Sequence, residues 1–230
     1  ILGDEPDKFC FVETICTLFS NITNKPSSFF KTLSVLDFLL LIIDVRIYSN
    51  GHLCPIRVQR NEKTANLDLN LSVLQNDLIK TFEPFCNNVI EHEKIAVIFD
   101  CPSVEKLIDI DSEHEEYLLF LKKATIFKQK TLEVKTVEQT ALLFDRLSPK
   151  MSLQIIEKYK KYVEVCTNTN FLSRYKITES TLNFVPTLDN LIWFTKLLFN
   201  ESLEVFYNNL FYLAHYGHMN LTHIEQGSVG

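Results

Sequence analysis

The densest group of nitrogen ligands in the chain is "HYGHMNLTH", which gathers His215, His218 and His223. A hydrolytic metal centre would need such imidazoles to converge on one ion and leave a position open for water. Gly217 falls between the first two and reads as a helix end, and no familiar ligand spacing is completed, although Glu225 is nearby. Exposed histidines at a helix terminus are the preferred account, and a metal-dependent hydrolase built on this cluster is the alternative. Carboxylates concentrate at Glu91 and Glu93 and again in "DIDSEHEE", residues 109–116. Two carboxyl groups can divide acid and base roles when burial separates their pKa values. At turn and helix-start positions, solvation and the helix dipole already explain them. The second run lacks the glycine and ligand spacing of a calcium loop.

Cys10, Cys16, Cys54, Cys86, Cys101 and Cys166 are scattered, with no C-x-x-C pair, a pattern expected of reduced, buried thiols in a cytosol-like compartment. Cys101 stands before Pro102 with no base close in sequence, so a structural thiol is expected there. Phosphate-cradling glycine loops, nucleophile elbows and H-E-x-x-H are all missing from the sequence. The reading is therefore a non-enzyme with no catalytic residue, metal or cofactor assigned.

The formal net charge is -6, which argues against a nucleic-acid partner. The one basic cluster, Lys158, Lys160 and Lys161 in "KYKKY", is flanked by Glu157 and Glu164 and reads as a solvated helix face. Aromatic content is the compositional anomaly: 18 Phe and 8 Tyr against 5 Gly. Such rings must be buried within the chain or against partners. "LIWFTKLLF" and "VFYNNLFYLAHYG" are apolar most of the way round, which suggests burial on more than one side. Trp193, Phe194, Phe199, Phe206, Tyr207, Phe211 and Tyr212 are accordingly the expected partner-binding residues.

The elements that must position these groups follow from periodicity. Phe9, Val12, Cys16 and Phe19 share one helical face, and residues 25–28 read as a loop. Residues 34–48 form a helix capped by Ser34, with Asp37 in its first turn and Ser49, Asn50 and Gly51 as stop chemistry. Its unbroken apolar run spans only 38–43, far short of the roughly 20 residues of a membrane span. Strict alternation around Cys54, Ile56 and Val58, then around Leu67 and Leu69, predicts a hairpin. Residues 88–99 predict a second strand pair. From Ser103 onward helices are expected: one with Ser112 and Glu115 in a capping box, one with Thr136 and Gln139 that Pro149 ends unless Pro149 instead opens the helix after it, and two late aromatic helices. "STLNFVP" suggests a strand. The fold class is α+β: a small antiparallel sheet of about four strands covered by helices, with a mostly helical C-terminal half. A division into 1–110 and 111–230 is expected, or one continuous domain. The sequence begins at Ile1 rather than Met, so a preceding segment is expected, and no signal-peptide pattern occurs in the residues given.

The order of these elements resembles the baseplate hub assembly proteins of T4-like tailed bacteriophages. The likeness rests on a Leu/Phe-rich helix that ends in Arg, Ser and Gly before a β-segment, matched here by Leu36, Asp37, Arg46, Ser49 and Gly51. A late aromatic helix similar to "LIWFTKLLF" accompanies it. Many members carry a C-x-x-C-type pair in the hairpin, where this chain has Cys54 alone, so a zinc ribbon does not carry over. The resemblance implies a non-enzymatic assembly factor, chaperone or minor hub component. It would contact other hub or tape-measure proteins, or further copies of itself, in the host cytoplasm or in the virion's tail baseplate. The 51–60 hairpin is a secondary candidate surface.

Overall fold

The computed structural model describes residues 8–109, 116–126, 130–177, 179–185 and 187–199. Ser34 starts the central helix as the sequence requires: its Oγ accepts the Asp37 N–H at 3.0 Å and donates to the Asp37 carboxylate at 2.7 Å. The helix α3, Val35–Asn50, ends at Gly51, whose φ of 84° few other residues adopt without strain. Nearly every side of α3 is apolar and buried, so neighbours must surround it. It packs against α4, Leu71–Phe82, and α8, Leu188–Phe199. Ahead of it lie α1, Lys8–Thr23, and α2, Ser27–Thr32. Residues 27–28 are thus helical rather than part of a loop, because Phe30 is drawn into the core against Phe19.

The hairpin β1, Leu53–Arg60, with β2, Lys63–Asn70, alternates as expected, burying Cys54, Ile56 and Val58. It forms a two-stranded sheet of its own. The second sheet has four antiparallel strands in sequential order: β3, Asn88–His92; β4, Ile95–Phe99; β5, Leu121–Ile126; and β6, Lys130–Glu133. The mixed fold with antiparallel sheets and a largely helical C-terminal half is as expected, but the sheet begun by β3 and β4 takes its other two strands from beyond position 110. Residues 116–120 form a 3-10 turn and 121–126 a strand, where a helix was expected. Ala124 pairs with Val97 and both are fully buried, so ladder bonds and core packing override the helical propensity of "EEYLLFLKK". The capping pair Ser112 and Glu115 lies outside the described residues.

Between β4 and β5 lies α5, Val104–Asp109; after β6 come α6, Val137–Phe144, and α7, Pro149–Asn168. Thr136 and Ser148 cap the last two through the N–H groups of Gln139 and Met151. α7 lays Met151, Ile155, Tyr162 and Cys166 inward and packs on β3. Residues 181–185 are irregular rather than a strand; Asn170 and Phe171 take up their backbone groups, with the Phe171 N–H donating to Leu182 O at 2.8 Å and the Leu182 N–H to Asn170 Oδ1 at 2.9 Å.

A chain of rings joins these layers. Phe99 stacks on Phe120, Phe120 meets Tyr162 at 4.7 Å between centroids, Tyr162 meets Phe82, and the contact continues through Phe184 to Phe194. β4, the 3-10 turn, α7, α4 and α8 are thereby packed into one core. No described helix is long and apolar enough to cross a membrane.

Candidate functional site

α8 carries the described part of the expected partner surface, and it divides sharply. Phe194 and Phe199 are interior, 0% and 4% exposed, and are corrected from surface to core residues. The reason is the helix's placement: its inner face meets α3 and α1, and Phe194 closes edge-on against Phe184. Trp193 projects the other way and is 46% exposed. Phe206, Tyr207, Phe211 and Tyr212 lie outside the described residues, as do His215, His218 and His223.

Arg46 fixes where α8 sits. Its guanidinium is buried and donates through Nε to the Leu198 carbonyl at 2.8 Å, and at 3.4 Å to the carbonyls of Gly51 and Leu53. One side chain thus joins the end of α3, the start of β1 and the end of α8. The Cys54 thiol donates to the same Leu198 carbonyl, and burial pushes its pKa up. Leu36 is buried, Asp37 belongs to the Ser34 cap, Ser49 donates to Arg46 O, and Gly51 closes the helix. Of the five residues that carry the likeness, Arg46, Ser49 and Gly51 meet at the C-terminal end of α3, while Leu36 and Asp37 lie in its first turn.

A second cluster was not anticipated. Cys86 precedes β3 and Cys101 follows β4, and their sulfurs are 3.9 Å apart. Asp100 is buried beside them: its Oδ1 accepts the N–H groups of Asn87 at 3.2 Å and Cys101 at 2.9 Å, and its Oδ2 accepts Lys122 Nζ at 2.8 Å. The donor atoms of Cys86, Asp100 and Cys101 all lie within 4.8 Å of one another. A divalent cation could bridge such a spacing, yet the carboxylate is already engaged on both oxygens. The hydrogen bond between the thiols lowers the Cys86 pKa, while that bond and burial raise the Cys101 pKa. The signal was latent in the sequence. The β3–β4 ladder ends at Asn88 opposite Phe99, and Cys86 and Cys101 lie two residues beyond that pair on either side, with Asn87 turning through a positive φ of 50°. Scanning for C-x-x-C cannot detect cysteines paired across a hairpin.

The remaining candidates are placed separately. Glu91 and Glu93 are exposed at the β3–β4 turn, while His92 Nδ1 lies 3.3 Å from the Ser148 Oγ that caps α7. Lys158 turns toward the sheet, donating to Asn88 Oδ1 at 2.5 Å and lying over the Phe99 ring. Lys160 and Lys161 are exposed. Lys106 is buried and bonds to Leu121 O, with Thr140 Oγ1 at 3.4 Å. Comparison with models of known protein families, with curated proteins and with solved structures finds no match to this chain.

Proposed function

We propose that the protein acts by protein–protein contact rather than by catalysis, with Trp193 at the centre of a docking face. The observation that carries this reading is a large amphipathic ring left half-exposed on a helix whose opposite side is locked into the core. Tryptophans held rigidly in this way are over-represented among residues that dominate binding energy, because little side-chain freedom is lost on docking. The buried polar groups point the same way. Arg46, Lys106, Thr140 and Thr195 all donate to backbone carbonyls, and Asp100 accepts two backbone N–H groups and Lys122. These bonds tie the buried polar groups among the described residues to the fold.

The partner class we favour follows the likeness to T4-like baseplate hub assembly proteins. On this reading the chain holds hub subunits in a competent arrangement, or shields their apolar faces until they assemble. Tyr48 and Leu53, both exposed at the junction of α3 and β1, extend the candidate surface to the hairpin. The test is co-purification with hub and tape-measure proteins of a T4-like phage. Wild type is expected to retain a partner and Trp193→Ser to lose it, by about tenfold or more in affinity, with an unchanged unfolding midpoint. Equal retention by the variant would overturn the assignment of Trp193. Retention of no hub or tape-measure protein by wild type would overturn the partner class.

A further inference from the structure

We propose that Cys86 and Cys101 form a reversible disulfide that clasps the open end of the β3–β4 hairpin, with peroxide as the oxidant. Three features of the structure support this. The sulfurs are already in contact at 3.9 Å, so side-chain rotation with a small backbone adjustment has to bring them to the roughly 2 Å of a bond. The two cysteines also leave from the same end of the hairpin, Cys86 two residues before the Asn88–Phe99 pair that closes the ladder and Cys101 two residues after it. Finally, the two thiols differ in access: Cys86 is partly exposed, whereas Cys101 is buried beneath it. An accessible sulfur backed by a sheltered second sulfur is the arrangement of an attacking and a resolving cysteine.

Hydrogen bonding sets the order of events. The Cys86 thiol donates to Phe82 O at 3.4 Å, and its sulfur stands 3.9 Å from the Cys101 thiol, a contact that favours the thiolate of Cys86 once that proton has left. The Cys86 thiolate attacks one oxygen of hydrogen peroxide; an S–O bond forms, the O–O bond breaks, and the departing hydroxide takes a proton to become water. Cys101 then attacks Cys86 Sγ. The S–S bond forms as the S–O bond breaks, and the second hydroxide leaves with the proton from Cys101. Two thiols and one peroxide give one disulfide and two waters, the sulfurs losing two electrons in all. A dithiol reductant reverses the change. The Asp100–Lys122 pair takes no part in the electron balance and holds the Cys101 backbone in place through Asp100 Oδ1.

The other thiols are differently placed. Cys16 and Cys166 are buried, each with its pKa raised to about 12, and Cys54 is buried against the end of α8. Cys10 is exposed on α1. The experiment treats reduced full-length protein with stoichiometric hydrogen peroxide, blocks remaining thiols and maps peptides without reduction. Wild type and Cys10→Ser are expected to yield a Cys86–Cys101 cross-linked peptide, lighter by two hydrogens and lost on dithiothreitol treatment. Cys101→Ala is expected to accumulate a dimedone-reactive sulfenic acid at Cys86, and Cys86→Ala to leave Cys101 unlabelled. The wild-type map stands even if either variant fails to fold. Both thiols remaining alkylatable in wild type, or oxidation confined to Cys10, would overturn the proposal. So would stoichiometric zinc in the untreated protein that shields both thiols, since the pair would then be a metal site.

Discussion

Cations buried in a protein of negative net charge are the most consequential single residues here. Three carbonyls receive the fork of donors of Arg46, a geometry that a lysine's compact ammonium cannot reproduce. Lys106 is less well served. Burial, aided by the charge of Lys122, lowers its pKa from 10.5 to about 8. Below pH 8 the ammonium is charged in both folded and unfolded chains, and the folded state carries the full desolvation cost. Between about 8 and 10.5 the folded chain has lost a proton that the unfolded chain still holds, so the stability contribution of this site rises with pH across that window. Wild type is therefore expected to gain up to about 3 kcal/mol relative to Lys106→Met between pH 7.5 and 10.5. Urea unfolding of both proteins at each pH measures the difference, and using the difference cancels the opposing titration of the buried thiols. A pH-independent gap would show that Lys106 titrates in the folded chain as it does in the unfolded one, and would overturn the burial effect.

Among the elements, α3 is the one whose ends are set by local chemistry and whose body is set by its neighbours. Ser34→Ala removes the acceptor for the Asp37 N–H and is expected to cost about 1 kcal/mol. Gly51→Ala meets open space around the new Cβ, so the loss comes from the backbone alone: φ 84° with ψ 176° is a conformation essentially confined to glycine, and the cost is expected to be about 1–3 kcal/mol. Denaturant midpoints should fall in both variants with the unfolding slope unchanged. An unaffected Gly51→Ala would mean that the α3–β1 connection relaxes to another conformation. β5 shows the opposite balance. Its sequence favours a helix locally, and it becomes a strand because β4 has a free edge and a fully buried Val97 in need of a covering neighbour.

Across the whole molecule, one apolar core runs from Phe11 on α1 to Phe199 on α8, and β4 pairs with β5 across position 110. A fragment of residues 1–110 would lose the strand that covers the edge of β4. It would also lose Phe120 and Tyr162 from the ring chain and the Leu198 carbonyl that receives Arg46. Exposed strand edges and unpaired buried cations are costly. The fragment is expected to bind a hydrophobic dye and to unfold without a cooperative transition, whereas the full chain unfolds in one step. Near-ultraviolet circular dichroism during a urea titration distinguishes these outcomes. A sharp transition in the fragment would mean that the first half folds by itself.

Much of this was legible in the residue order. The caps at Ser34 and Thr136, the stop at Gly51, the alternation of β1 and β2 and the burial of α3 all depend on neighbours within a few positions. Local hydrogen bonds and side-chain periodicity act over just that range, so a single sequence determined them. The joining of β3 and β4 to β5 and β6, the inward turn of Phe194 and Phe199, the anchoring of α8 by Arg46 and the meeting of Cys86 with Cys101 were decided only in three dimensions. Each depends on which strand edge or helix face meets which partner. That choice is made by the closure of long loops and the packing of the shared core, and no short window of sequence contains it.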